Sequence, residues 1–352
     1  MYKKIAFVLL ILALIITAFT ARFYLSNTAF PEDVKYLYIH TGRTGQEEIM
    51  KTLVENKMLK NPGSFAFLAK QMKVWPQARP GRYKITKNMS LLDIARVLRN
   101  GRQEPLNLVI NKVRTKEQLA ALISRKFESD SLSIINYLNN PDTLAKYGLD
   151  TSTIMTMVFP DTYAYLWTAT PEDFFKKLYA QHNKIWNEER RQKAEALGLT
   201  PTTAYILASI VEEETNVNDE KGLIASVYLN RLSRNMNLGA DPTVKFALRD
   251  FGLTRIYHKH LAFESPYNTY RNKGLPPGPI CTPSLKTLDH TLDAPKTNYL
   301  FFVANKDFSQ KHVFTENYSD HLKYAREYQK ELTRLQKLKK QTAKEEISAP
   351  ND

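Results

Sequence analysis

The amino-acid sequence predicts an α+β protein with three parts: an N-terminal transmembrane helix, a small α/β module and a larger mixed α+β domain. An uncharged run near the N-terminus predicts the first part. Strand and helix patterns that alternate over residues 33–111 predict the second, and helix patterns with Pro-rich loops between them predict the third. The 352 residues, 43% of them hydrophobic, suffice for two or three folded units outside a membrane.

The first predicted element, within residues 1–24, is a retained membrane anchor. A lysine pair precedes the run from Ile5 to Ala21, which contains no charged residue, and Arg22 ends it. A helix crosses the hydrocarbon core with ~17–25 such residues, and the lysine pair favours a cytoplasmic N-terminus with an exported C-terminal bulk. A cleaved signal peptide is the alternative, but threonine would occupy the final position of the candidate cleavage site.

Residues 33–111 form the predicted small module. Its predicted elements are a strand at 35–40, a helix at 44–58, a strand after the turn at 80–81, a helix that begins at 90 and ends at 100–101, and a strand at 106–110. This alternation loosely resembles the LysM-like glycan-binding modules of cell-wall enzymes. A packing or spacer domain explains the pattern equally well, because a fold does not imply a function.

Residues 112–328 form the predicted larger domain, and residues 329–352 a basic helical tail. Helix patterns cover 115–127, 130–138, 171–186 and 188–196, and a turn is predicted at Phe159–Tyr163. The formal net charge of +14 suggests nucleic acid first. Because the chain is expected to be exported, anionic lipid or acidic wall polymer is the preferred partner. A single cysteine, Cys281, excludes an N-terminal lipid anchor and a disulfide within the chain.

The larger domain contains a helix pattern, Ala204 to Thr215, that ends in three consecutive carboxylates. Successive helical residues are rotated by about 100°, so Glu212, Glu213 and Glu214 cannot share one environment. We expect at least one to face a wall of the fold, where burial raises a carboxyl pKa and allows proton donation near neutral pH. A solvated acidic helix end is the alternative, and the spacing alone favours it.

Two loops further on suit a polar polymer. Glu264–Tyr270 contains two tyrosines beside an asparagine, and the proline-rich Gly274–Ile280 cannot be helix or central strand. Aromatic rings beside an amide fit a sugar chain, although a loop that only covers the core explains the same residues. His312 and His321 lack metal-binding spacing, and no phosphate loop, serine elbow or zinc motif occurs, so no metal or cofactor is predicted.

Eight sequence blocks, in this order, resemble the endolytic murein transglycosylase (YceG-like) family from Lys3 to about Tyr328. They are Phe159–Tyr163, Ile206–Thr215, Ala225–Leu232, Asp241–Val244, Glu264–Tyr270, Gly274–Ile280, Phe302–Ala304 and His312–Phe314. Two short segments depart from the pattern, Met157-Val158 and Ser309–Lys311. Neither touches the acidic motif, so they affect loop detail and not the expected chemistry.

The resemblance implies an enzyme that cuts nascent peptidoglycan between N-acetylmuramic acid and N-acetylglucosamine at the outer face of the cytoplasmic membrane, leaving 1,6-anhydro ends. It implies Glu212 as the single acid/base, and we then expect Glu214 to hold the helix against its neighbour as a helix support. Our helix count instead puts Glu214 nearest the apolar stripe; we chose Glu212 because a catalytic acid must face a cleft. The substrate-binding residues expected from the same motifs are Arg231, Asp241, Tyr267, Asn268, Thr269 and Tyr270.

Two other functions fit the same sequence. One is a non-catalytic peptidoglycan-binding scaffold that recruits a synthase, and the other is a lysozyme-like hydrolase that acts in the same cleft. Glycan strands, the membrane and peptidoglycan synthases are the candidate partners. Nucleic acid is not expected, because no aromatic residues are interleaved with the basic tail in the manner of a nucleic-acid surface.

Overall fold

The computed structural model describes residues 2–25 and 27–348. This part of the chain is mostly helical, and its six short strands form three two-stranded sheets. The mixed α+β class is therefore confirmed. Contacts divide the chain into two compact units, and each of them collects segments from several stretches of the sequence.

The first unit comprises the described residues up to Leu108, together with Ala120–Ile134 and Thr162–Phe174. Its elements up to Leu108 are α1 (Tyr2–Tyr24), β1 (Val34–Ile39), α2 (Gln46–Glu55), α3 (Pro62–Gln71), a 3-10 turn (Trp75–Gln77), β2 (Gly81–Thr86) and α4 (Leu91–Arg99). β1 and β2 are antiparallel, with Val34 opposite Thr86 and Ile39 opposite Gly81. Buried apolar side chains of the sheet and of α2–α4 form its core, which Phe23 from the end of α1 joins.

The chain then alternates between the two units. Its elements here are β3 (Leu106–Ile110), α5 (Lys116–Ser124), α6 (Ser131–Asn139), α7 (Pro141–Ala145), a 3-10 turn (Ile154–Met157), β4 (Asp161–Tyr165), α8 (Pro171–Ile185) and α9 (Glu188–Ala196). β3 pairs with β4. The predicted turn at Phe159–Tyr163 is thus wrong in its second half, because Asp161 begins a strand that finds its partner about 50 residues earlier in the chain.

The second unit comprises Val109–Leu119, Ile135–Asp161 and the described residues from Phe175 onward. Its C-terminal elements are α10 (Pro201–Glu214), α11 (Asn218–Ser233), α12 (Asp241–Leu248), α13 (His258–Leu261), α14 (Leu285–Leu292), β5 (Phe301–Ala304), β6 (His312–Thr315) and α15 (Tyr318–Ser348). β5 and β6 are antiparallel, with Phe301 opposite Thr315. Residues 349–352 of the predicted tail lie outside the described residues.

Helix α10 is the central helix of the second unit. It packs against α11, α12 and α14, and its residues Ala204 to Val211 are all buried. Thr200 caps its start by accepting a hydrogen bond from the Thr203 amide. Pro201 follows at the first helical position, where the backbone amide that proline lacks would have no partner within the helix. The buried body of α10 therefore holds the three carboxylates at its end in fixed directions.

In the described ranges, no single helix is both long and apolar enough to count as a membrane span. The apolar stretch of α1 is Lys4–Ala18. Helices α9 and α10 reach the required length and composition only when taken together, and they are bent by 78° relative to each other. The predicted anchor and the predicted domain boundary at residue 111 stay predictions. The unit that holds residues 33–108 also takes in Ala120–Ile134 and Thr162–Phe174, which we had assigned to the larger domain.

Candidate active site

The three carboxylates at the end of α10 enter three different environments, as the helical rotation predicts. Glu213 forms ion pairs with Arg114 (2.9 Å from Nη2 to Oε2) and Lys112 (3.3 Å from Nζ to Oε1). Glu212 lies in a buried ion pair, and Glu214 lines a cavity. All of these groups belong to the second unit.

Glu212 is fixed on three sides. Lys221, whose side chain is 6% exposed, places Nζ 3.1 Å from Glu212 Oε2. The hydroxyls of Ser284 and Thr287, at the start of α14, donate to the same oxygen. Burial acts to raise the pKa of Glu212, but the Thr287 hydrogen bond and the charges of Lys221 and Lys112 outweigh it, so this pKa lies below its ordinary value. An ion-paired carboxylate of this kind holds no proton to donate at neutral pH.

Glu214 has the opposite character. The Tyr228 hydroxyl donates to its Oε1 at 2.5 Å. Burial raises the pKa of the Glu214 carboxyl to about 7; the hydrogen bond from Tyr228 partly offsets this effect, and the nearby Asp241 charge adds to it. Of the three acids, it is thus Glu214 that burial equips to hold a proton near neutral pH.

The cavity at Glu214 has a volume of about 370 Å³, within the range of roughly 300–1,000 Å³ typical of small-ligand sites. Its walls come from α11, α12, β5, the first turn of α15 and two loops. The polar and aromatic side chains that line it are Glu214, Tyr228, Arg231, Asp241, Tyr270, Phe301, Phe302, Tyr318 and His321. Three of the six predicted substrate-binding residues, Arg231, Asp241 and Tyr270, thus meet around Glu214.

Asp241 and Tyr270 form a pair inside this cavity. Tyr270 donates its hydroxyl to Asp241 Oδ1 at 2.6 Å, and burial, followed by the Asp241 hydrogen bond and charge, raises the pKa of Tyr270. Gly239 lies beside Tyr270; its φ of 59° is left-handed, which favours glycine, and a Cβ there would make only an ordinary contact with the Tyr270 ring, at 3.6 Å. The pair presents a negative charge and a phenol to whatever occupies the cavity.

Arg231 is held by the protein backbone. Its Nε donates to Leu300 O at 2.7 Å and its Nη1 to Leu238 O at 2.6 Å, and burial lowers its pKa. Its Nη2 has no hydrogen-bond partner in the part of the chain that the structure describes. Arg231 also fixes the loop before α12 to the strand β5.

The other three predicted binding residues do not line the cavity. Asn268 and Thr269 are 0% and 1% exposed. Asn268 donates to Leu261 O and Phe263 O and accepts from the Tyr270 amide, and Thr269 is bonded to Thr243. In this structure the two residues support the loop of Tyr270 and offer no water-accessible surface to a ligand.

Tyr267 does not line the cavity either, although it keeps some exposed surface. Its ring centroid lies 4.7 Å from that of Phe246 in the core of the second unit. Gly278 of the proline-rich loop lies close to it, since a Cβ there would be 2.9 Å from the Tyr267 hydroxyl and 2.1 Å from Ser152 O. The proline-rich loop is itself fastened to α10, because the Ile280 amide donates to Ser209 Oγ at 3.1 Å.

Sequence reasoning gave no site role to five of the polar and aromatic cavity residues: Tyr228, Phe301, Phe302, Tyr318 and His321. Tyr228 and Phe302 had been noted only within the blocks Ala225–Leu232 and Phe302–Ala304, and His321 had been considered only as a metal ligand. The local pattern carries no signal for them, because the strand β5 and the helix α15 reach the cavity from about 90 to 110 residues beyond Glu214. Across the described ranges, no group of three or more His, Cys, Asp or Glu side chains is placed to hold a metal ion.

Comparison with known proteins identifies similar chains. The model of the YceG-like family matches residues 37–327. An endolytic murein transglycosylase from Bacillus subtilis (strain 168) is 28% identical over 296 residues, which cover 80% of this chain and 81% of that protein. One of the same name from Streptococcus pneumoniae serotype 2 (strain D39) is 27% identical over 310 residues, but this chain spans only 55% of its length.

A solved structure is also similar. The 2.6 Å crystal structure of a putative yceG-like protein from Listeria monocytogenes matches with a TM-score of 0.55 and 26% sequence identity. The match covers 83% of this chain and 98% of that one.

Proposed function

This chain belongs to the YceG-like family, and from that premise we propose that it is an endolytic lytic transglycosylase of peptidoglycan. It cuts the glycan strand between N-acetylmuramic acid and N-acetylglucosamine and leaves a 1,6-anhydro end, which terminates strand elongation. The names of the Bacillus and Streptococcus relatives support this activity. The observation that carries it is the carboxyl of Glu214, whose pKa of about 7 is set inside a cavity.

We assign the acid/base role to Glu214 and not to Glu212. In the first step, the Glu214 carboxylic acid gives its proton to the glycosidic oxygen, and the bond from C1 of N-acetylmuramic acid to that oxygen breaks. In the second step, the Glu214 carboxylate takes the proton of the C6 hydroxyl of the same sugar while O6 bonds to C1. Glu214 thus recovers in the second step the proton that it gave in the first, so the reaction needs neither water nor a second catalytic carboxylate.

The neighbours of Glu214 support both steps. Tyr228 holds Oε1 by its hydrogen bond, which leaves Oε2 to face the substrate. Asp241 contributes to the raised pKa of Glu214, and its negative charge would stabilise the positive charge that develops on the sugar ring. Glu212, bound to Lys221, Ser284 and Thr287, fixes the end of α10 to α14 and so orients Glu214.

We further propose that α1 anchors the protein in the cytoplasmic membrane, with its N-terminus inside and residues 25–352 on the outer side. The apolar stretch Lys4–Ala18 and the lysine pair at its start support this location. Nascent glycan strands and the synthases that make them would be reached there. Residues 33–111 are proposed as a glycan-binding module on the sequence pattern alone.

Digestion of purified, uncrosslinked glycan strands tests the reaction. The wild-type chain should release products with anhydro ends, which mass spectrometry separates from hydrolysis products by the mass of one water. Reducing ends would instead indicate a lysozyme-like hydrolase. Retention of the protein on glycan without any product would indicate the scaffold.

A further inference from the structure

One wall of the cavity at Glu214 is aromatic and has no role in the chemistry described above. It consists of Phe301 from β5 and of Tyr318 and His321 from the first turn of α15. The ring centroids of Phe301 and His321 are 5.4 Å apart, those of Phe301 and Tyr318 are 5.6 Å apart, and those of Tyr318 and His321 are 6.0 Å apart. We call these three residues the aromatic wall.

The aromatic wall is rigid on its inner side and open on its outer side. The Arg231 guanidinium lies 5.3 Å from the centroid of Phe301, and the same guanidinium is fixed by two carbonyl oxygens. Tyr318 is 59% exposed. A large aromatic ring that stays exposed beside a cavity, on a fixed base, offers a preformed surface for the apolar face of a ligand.

His321 adds unused hydrogen-bonding capacity to this surface. Within residues 2–25 and 27–348, its Nδ1 is buried and has no hydrogen-bond partner. Burial, with a smaller contribution from Arg231, lowers the pKa of His321, so the ring is neutral at pH 7 and offers one donor and one acceptor. Leaving such an atom unpaired costs free energy that a ligand would recover, and rotation about the soft terminal torsion of the ring can present it.

We propose that the aromatic wall is a sugar-binding subsite, in which Tyr318 and Phe301 pack against the apolar face of an N-acetylated hexosamine ring and His321 hydrogen-bonds one of its hydroxyl or acetamido groups. A sugar ring has this combination of an apolar face and a polar edge, whereas a lipid chain or a free phosphate has only one of the two. The proposal rests on the proposed function, because the subsite serves the strand that Glu214 cuts.

Two variants of the full-length protein test the subsite by kinetics on glycan strands. Tyr318→Leu removes the exposed ring, and His321→Phe keeps a ring but removes the hydrogen bond. Each should raise KM about tenfold, as expected for one lost polar or stacking contact, while kcat changes less than about threefold. His321→Asn, which restores a donor and an acceptor, should recover most of the loss. Tyr257→Leu is the matched control, since Tyr257 is 54% exposed and does not line the cavity.

A binding arm separates this proposal from the proposed function. In a Glu214→Gln background, calorimetric titration with N-acetylglucosamine oligosaccharides and with purified strands should show about tenfold weaker binding for both variants than for the background alone. Unchanged KM and unchanged binding in Tyr318→Leu and His321→Phe would overturn the subsite even if the wild type cleaves. If the wild type cleaves nothing but its binding still depends on Tyr318 and His321, the proposed reaction is overturned and the subsite is retained.

Discussion

At the scale of single residues, Glu212 and Glu214 differ because of what each one faces, although both are partly buried. Glu212 is met by a lysine and two hydroxyls, which stabilise its charge, and so its pKa falls. Burial and the Asp241 charge raise the pKa of Glu214, and the Tyr228 hydrogen bond lowers it by less, so the pKa rises to about 7. The two carboxylates are therefore in opposite protonation states over much of the range from pH 5 to 7.

This difference predicts the pH dependence of cleavage. A general acid must be protonated to act, so kcat/KM should fall as the pH rises through about 7, the pKa of Glu214. If Glu212 were the acid, the fall would come below its ordinary value of 4.5. Initial rates on glycan strands from pH 4 to 9 measure this fall of kcat/KM with rising pH. A thermal melt in each buffer controls for unfolding, and a profile that has already fallen by pH 5 and stays flat through pH 7 would contradict the assignment.

Only part of this residue-level outcome was available from the sequence. The rotation of about 100° per residue predicted that the three acids would separate and that one would be desolvated. The helix count also placed Glu214 nearest the apolar stripe. Which of the two acids faces a cleft could not be predicted, because the cleft is built by Arg231, Asp241, Tyr270 and by elements far along the chain.

At the scale of elements, Glu212 at the end of α10 is joined to α11 by its ion pair with Lys221 and to α14 by the hydroxyls of Ser284 and Thr287. Glu212→Gln leaves a buried lysine without its counter-charge, and breaking a buried pair in this way costs about 3–5 kcal/mol. We expect a large drop in the free energy of unfolding, measured by urea denaturation, with kcat per folded molecule within about tenfold of the wild type. The double variant Glu212→Leu/Lys221→Met, which removes both charges, should recover stability. A normally stable Glu212→Gln that cleaves nothing would return the acid role to Glu212.

The loop that carries Tyr270 depends in the same way on Asn268. Asn268→Ala removes two donated hydrogen bonds and one accepted bond in a fully buried position, leaving backbone groups unpaired. We expect a loss of about 2–3 kcal/mol in the free energy of unfolding, with a raised KM as Tyr270 shifts. Asn272→Ala is the control in the same loop, because Asn272 is exposed and water can replace its bonds. Equal losses in the two variants would contradict a supporting role specific to Asn268.

Elements with a strong local pattern were predicted well, and those that depend on distant partners were not. β1, β2 and α4 follow the predicted strands and helix, and Ser90, where that helix was predicted to begin, caps α4. α3 was missed, because Gly63 and Ser64 at its start weaken the helical pattern. β4 was missed, because Pro160-Asp161 is a turn signal locally and the strand is stabilised by β3.

At the scale of the whole molecule, the two compact units do not follow the sequence order that the predicted domains assumed. Segments around residues 120–134 and 162–174 return to the first unit, and no local composition change marks these returns. The net charge of +14 and the apolar N-terminal stretch, in contrast, are visible directly in the sequence.

The proposed anchor can be tested on the full chain. Removing residues 1–24 should move the protein from the membrane fraction, where it resists extraction by carbonate, to the soluble fraction, because the apolar stretch Lys4–Ala18 is lost. Cleavage of strands in solution by the shortened protein should persist. A full-length chain that is found in the soluble fraction, or that carbonate releases, would contradict the anchor.

The most direct test of the account is product analysis of Glu214→Gln beside the wild type on uncrosslinked glycan strands. The wild type should form anhydro ends, and Glu214→Gln, with an unchanged melting curve, should form them about 10²–10⁴-fold more slowly, as expected when a general acid is removed. Anhydro ends that Glu214→Gln produces at the wild-type rate would show that the proton at the broken bond comes from another group.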